Sequence, residues 1–123
     1  MTIAERITEV EQGVPYSRFR ALADRLGITE ERLRRTLGFA AATLHRRKRA
    51  GRFTLDESNR LYWLESLLDT AARVLEDEAE VRDFMTGGNP ALGGASPLDY
   101  ARTAPGLEAV RRLLLQLEYG VVV

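Results

Sequence analysis

The single histidine of the chain stands among cations: the run Thr43-Leu44-His45-Arg46-Arg47-Lys48-Arg49 is followed, after Gly51, by Arg52. Side chains of this kind neutralise phosphates, and a threonine or histidine early on a helix can also reach base edges in a major groove. With Arg32, Arg34 and Arg35, the stretch from 32 to 52 holds eight basic residues and no acidic one. The formal net charge of zero, from 18 basic and 18 acidic residues, therefore conceals a block of +8 beside a remainder of −8. Such a block is the electrostatic footprint of a polyanion site, although a solvated helix face or a site for an acidic partner has the same composition.

Other chemistry finds little support. Without cysteine there is no disulfide, thiolate metal site or thiol nucleophile, and His45 lacks the second imidazole that most zinc sites use. His45 reads as a surface residue rather than a catalytic one. The carboxylates Glu76, Asp77, Glu78 and Glu80 could hold Mg²⁺ or exchange protons, but acidic clusters of this kind usually cap a helix or face water. Gly87-Gly88 and Gly93-Gly94 flank Asn89-Pro90-Ala91-Leu92, whose amides could cradle a phosphate. No lysine or preceding strand completes a phosphate loop, so a structural turn is the better reading. No catalytic residue, metal or cofactor is expected, and the chain does not read as an enzyme.

The elements that position these residues are helical. At 123 residues, 45% apolar and 29% charged, the composition is that of one soluble globular domain. No apolar run approaches the roughly 18 residues of a membrane span, and the N-terminus lacks a secretory apolar core, so a cytoplasmic location is expected. Apolar residues recur at helical spacing almost throughout, which predicts an all-α fold. Ile3, Ile7 and Val10 form a short amphipathic stretch ending at Gly13; Phe19, Leu22 and Leu26 follow up to Gly27. Thr29 caps a helix with Leu33 and Leu37 facing inward, Gly38 breaks it, and a helix over 41–50 carries Leu44 as its apolar anchor. Thr54 and Glu57 make a capping box opening a long helix, 56–75, with Leu61, Leu64, Leu68, Ala71 and Leu75 on one face and Trp63 beside it as a core residue. A short helix over 81–86 precedes the Gly/Pro-rich loop, Ser96-Pro97-Leu98-Asp99 starts another, and after Gly106 a final helix carries Leu107, Val110, Leu114 and Leu117.

The segment from 29 to 50, helix, tight glycine turn, helix, has helix-turn-helix spacing. Its second helix would lie in a major groove, with Thr43 and His45 toward base edges and Arg46, Arg47, Lys48, Arg49 and Arg52 toward phosphates. Arg34 stands where close helix crossing favours a small residue, and Ala40 where a serine or threonine cap is usual. A helical hairpin with a basic face is the competing reading. These signals divide the chain into an N-terminal helical region, 1–53, and a linking helix with a C-terminal region, 54–123.

Several motifs then occur in one order: Asn89-Pro90-Ala91-Leu92-Gly93-Gly94, Ser96-Pro97-Leu98-Asp99, Thr103, Gly106, Val110, and Leu117-Glu118-Tyr119-Gly120-Val121. Together they resemble the toxin-binding domain of the Xre/MbcA/ParS antitoxins. Upstream, Gly38, Thr43-Leu44, Arg46-Arg47, Gly51-Arg52 and Glu57-Ser58 are similar to that family's Xre-type helix-turn-helix and the start of its linking helix. Phe84-Met85 stands where the family often has Trp-Leu, Gly88 where a proline commonly precedes Asn-Pro, and Phe39-Ala40 where the turn usually reads Ile-Ser.

The resemblance implies an antitoxin of a type II system whose partner is a RES-domain toxin, an enzyme that consumes NAD⁺ or uses it for ADP-ribosylation. It implies that the C-terminal domain covers the toxin's active-site entrance and that the chain, alone or in complex, represses its own operon. The toxin-binding residues it points to are Asn89, Pro90, Leu92, Gly93 and Gly94 together with Glu118, Tyr119, Gly120, Val121, Val122 and Val123. It also implies an oligomeric complex with the toxin, with a homodimer as a further form. The apolar terminus fits a binding surface, or packs on its own domain. A stand-alone helix-turn-helix repressor without a toxin partner is the alternative.

Overall fold

The computed structural model describes residues 1–120 and is all-α, with eight α-helices and one 3₁₀ turn among those residues. Val121, Val122 and Val123, the expected apolar binding tail, lie outside the described residues. Contacts divide the chain into two compact units, Met1–Asp24 with Ile28–Glu65, and Arg25–Gly27 with the chain from Ser66 on.

The first unit holds α1 (Ile3–Gln12), most of α2 (Tyr16–Leu26), α3 (Glu30–Leu37), α4 (Ala41–Ala50) and the first half of α5 (Leu55–Leu75). Its core is Phe19, Leu22, Leu33, Leu61 and Leu64 with an aromatic cluster in which Phe53 stacks on Tyr16 and Phe39, each pair at 5.6 Å between centroids. An antiparallel bridge between Pro15 and Arg52 ties the entry of α2 to the exit of α4, through Tyr16 N–H to the Gly51 carbonyl at 2.9 Å and Phe53 N–H to the Val14 carbonyl at 3.0 Å. Ser58 is fully buried, and its hydroxyl oxygen accepts from the Val14 N–H at 2.9 Å. Arg18 pairs with both Glu9 and Glu65, at 2.6 and 2.8 Å, joining α1, α2 and α5.

The second unit is built on the rest of α5, then α6 (Glu78–Thr86), α7 (Pro97–Tyr100) and α8 (Ala104–Glu118). Leu67, Leu68, Ala71, Val81, Met85, Leu98, Val110 and Leu114 are its buried centre. The Arg25 guanidinium binds Asp69 at 3.0 Å and Glu78 at 2.9 Å, which holds the short Arg25–Gly27 segment to this unit.

Several expectations need correcting. Trp63 is not core: it is 48% exposed, because Leu61 and Leu64 line a narrow buried arc at that level and α5 buries a wider one only from Leu67 on. Leu117, placed on the inward stripe of the last helix, is 52% exposed in its final turn. The helix expected over 81–86 begins at Glu78, because Asp77 accepts from the Ala79 N–H at 2.9 Å and so places Glu78 and Glu80 in the first turn, where they complement the helix dipole. The last helix begins at Ala104, before Gly106: Thr103 caps it and Pro105 sits in the first turn, where a missing N–H costs nothing.

Candidate functional site

In the first unit, α3 and α4 form a helix-turn-helix around Gly38, which takes a left-handed φ of 75° that a side chain would oppose. Thr29 opens α3 by accepting from the Arg32 N–H at 3.0 Å. Ala40 caps α4 without a side-chain bond, as its methyl group dictates. Arg34 avoids crowding the helix crossing by turning back along the motif. Its guanidinium binds Glu31 and donates to the Phe39 carbonyl at 2.7 Å, so it fastens the turn. The bond to Arg34 holds the Glu31 carboxyl down at about 2.

The candidate DNA residues share α4 and its exit, with different surroundings. His45, Arg46, Lys48 and Arg49 are exposed, and Arg46 donates to the half-buried Thr43 hydroxyl at 3.2 Å. Arg47 instead turns to α5, where its Nε donates to Glu57 Oε1 at 2.6 Å. Arg52 donates to the Gly13 carbonyl at 2.8 Å. The Arg47–Glu57 bond raises the arginine's pKa. Burial works against ionising Glu57, but the bonds from Arg47 and Thr54 outweigh it and hold the carboxyl below its ordinary value. Four exposed residues therefore share one helix face region with two cations already committed within the unit.

Sequence reasoning found the Thr54/Glu57 capping box, which forms with Thr54 N–H to Glu57 Oε1 at 2.9 Å. It missed that the same carboxylate reaches back ten residues to Arg47. No local pattern signals that contact, because it depends on how α5 packs beside α4.

In the second unit, the Asn89–Gly94 segment is a closed turn around a 3₁₀ element, Pro90–Leu92, anchored by the buried Leu92. The Asn89 side chain accepts from the Ala91 N–H at 2.9 Å, and its carbonyl accepts from Leu92 and Gly94, each at 2.9 Å. Gly93 N–H bonds to the Pro90 carbonyl at 3.1 Å. These amides are engaged within the turn, which leaves a displayed knob with Pro90, Gly93 and Gly94 exposed, and the structural reading of the loop stands. Next, α7 packs against both α6 and α8. Gly106 makes the α7–α8 corner: a Cβ there would run into the Tyr100 carbonyl.

The end of α8 presents a different surface. Tyr119 is 73% exposed beside the exposed Leu117, and Gly120 follows in a left-handed conformation. Glu118 is bound by Arg73 at 2.6 Å, a partner that the sequence reading did not anticipate. Among the described residues no group of His, Asp and Glu side chains is arranged to hold a metal, and no helix is long and apolar enough to cross a membrane.

Comparison with known families agrees with this geometry unit by unit. Residues 5–65 match the family model described as the antitoxin Xre-like helix-turn-helix domain. Residues 70–120 match that described as the antitoxin Xre/MbcA/ParS C-terminal toxin-binding domain. No curated protein matches the chain.

Proposed function

The chain belongs to the Xre/MbcA/ParS antitoxins, and from that premise we propose that it neutralises a RES-domain toxin by covering the entrance to its NAD⁺ site and represses its own operon through α3 and α4. The observation that carries this reading is the order of two family matches, a helix-turn-helix domain followed by a toxin-binding domain, over 5–65 and 70–120. One chain then joins two binding activities of a type II toxin–antitoxin system.

For the toxin, the contact surface is the Asn89–Gly94 turn, with Asn89, Pro90, Gly93 and Gly94 presented over the buried Leu92 that anchors them, and the end of α8 with Glu118, Tyr119 and Gly120, continued by Val121, Val122 and Val123. Support comes from the exposed ring of Tyr119, which offers an apolar body with a polar tip. Glu118 supplies a carboxylate of the kind that pairs with an arginine that would otherwise hold the NAD⁺ phosphates. Inhibition by occlusion asks no catalysis of the antitoxin. A complex containing more than one copy of each chain, with a homodimer of this chain as a further form, belongs to the same reading.

For DNA, Thr43 and His45 face base edges while Arg46, Lys48 and Arg49 meet phosphates, supported by the exposure of His45, Arg46, Lys48 and Arg49 on the second helix of the motif. The test of the whole reading is co-expression with the toxin encoded beside the gene. Cells making the toxin alone should lose NAD⁺ or accumulate ADP-ribosylated protein, and cells making both should do neither. Continued loss of NAD⁺ or continued modification despite copurification of the two chains would refute occlusion.

A further inference from the structure

The helix that enters the groove in this reading has no core of its own. None of the residues of α4, Ala41–Ala50, is fully buried, and Leu44, its one large apolar residue, is partly exposed. Its ends are fixed from outside: Phe39 before it and Phe53 after it are buried and stacked, and the Pro15–Arg52 bridge holds its exit. Pinned ends leave rotation about the helix axis to whatever grips α4 from the side.

That grip is polar. Arg47 and Glu57 meet at 2.6 Å with side chains only 24% and 12% exposed. The carboxylate is itself held before Arg47 reaches it, because the Glu57 oxygen also accepts from the Thr54 N–H at 2.9 Å and the next residue, Ser58, is fully buried against the Val14 amide. Glu57 is thus a fixed point on the first turn of α5.

We propose that Arg47 and Glu57 form a clasp that sets the rotation of α4, so aiming Thr43, His45, Arg46 and Arg49 at DNA, and that Arg47 contributes no phosphate contact of its own. Arg47 and Glu57 are positioning residues, and the inference rests on the DNA-binding reading above. The physical distinction is charge. A cation that binds a phosphate displaces a counterion and adds to the salt dependence of binding, whereas a neutral pair displaces none and acts through geometry alone. The two roles also give Glu57 opposite signs: neutralising it releases a phosphate-seeking Arg47 and tightens binding, but loosens a clasp and weakens binding.

The test titrates the chain, across a series of salt concentrations, against a duplex from upstream of its own gene and a scrambled duplex of equal length. Arg47→Gln and Glu57→Gln should each weaken binding by roughly tenfold, the scale of one charge-assisted hydrogen bond, without changing the slope of log affinity against log salt. Their double variant should bind no more weakly than the weaker single one, since both remove the same clasp. Arg49→Gln, by contrast, should lower the slope by about 0.9. A fall of that size for Arg47→Gln, or tighter binding by Glu57→Gln, overturns the clasp while leaving DNA binding intact. A wild-type chain that prefers its own upstream duplex no more than the scrambled one overturns the DNA reading and the clasp together. Circular dichroism at the assay temperature identifies any variant that unfolds; Arg47→Gln, which lies outside the core, decides the matter alone if Glu57→Gln does.

Discussion

The Arg73 guanidinium donates to Glu118 Oε1 at 2.6 Å, tying the last turn of α8 to α5 within the second unit. The arginine is half exposed, at 55%, so the pair is of the solvent-screened kind that contributes no more than about 1 kcal/mol to stability. If Glu118 meets a toxin arginine, it must first exchange this partner. Arg73→Gln should therefore leave thermal unfolding nearly unchanged and tighten toxin binding several-fold by calorimetry, while Glu118→Gln weakens it. Weaker binding by Arg73→Gln would show that the pair serves to hold the surface in shape.

The long helix supplies a stability prediction in each unit. Leu64 and Leu68 are 3% and 0% exposed, and truncating a leucine in such a site costs about 2–5 kcal/mol through lost burial and the cavity left behind. Leu64→Ala and Leu68→Ala should both lower the denaturation midpoint substantially. Trp63→Ala, in the same helix but 48% exposed, should lower it less than either leucine variant, because about half of the removed ring is already in water. A Trp63 variant as unstable as the leucine variants would reverse the assignment of the buried arc.

What could be read in advance was what is local. Thr54 with Glu57, Ser96 before Pro97, and Gly38 between two helical patterns each carry their meaning within four residues, and each occurs in the structure as a cap or a left-handed turn. The contacts that divide one arginine's role from another's are not local. Arg47 and Arg49 look alike in the sequence, and only the packing of α5 beside α4 gives the first of them a carboxylate. Glu118 lies 45 residues from Arg73, and Trp63 differs from Leu64 only in which side of α5 has a neighbour. The residues proposed to bind the toxin rest on family resemblance alone, since periodicity marks Leu117 as core when it is exposed.

Glu31, on the first helix of the helix-turn-helix, should stay ionised well into acid. Glu31 has its carboxyl held at about 2 by its bond to Arg34, well below the value near 4.3 expected of an unfolded glutamate. A depressed carboxylate contributes stability that is fully present above the unfolded value and is lost as pH falls from there through about 2. A carboxyl-carbon NMR titration should accordingly find Glu31 still ionised at pH 3 or so, and Arg34→Gln should return its midpoint toward the ordinary range. An ordinary midpoint in the wild type would mean that Arg34 does not hold the turn through Glu31.

The end of the chain gives the most selective test of the toxin reading. Tyr119, the C-cap of α8, is 73% exposed, and the described hydrogen bonds of α8 close at Gly120, whose N–H reaches the Leu117 carbonyl at 3.4 Å. Deleting Val121, Val122 and Val123 therefore removes none of those bonds, and Tyr119→Ala takes away a ring that little of its own unit covers. Both variants should unfold within a few degrees of wild type and keep wild-type affinity for the upstream duplex. Each should lose at least roughly tenfold in inhibition of the purified toxin, the effect of removing an aromatic anchor from an interface. The double variant should fail to rescue toxin-expressing cells at equal expression. Full rescue by that variant would move inhibition to the Asn89–Gly94 turn or another face, and would leave the end of α8 with no part in covering the NAD⁺ site.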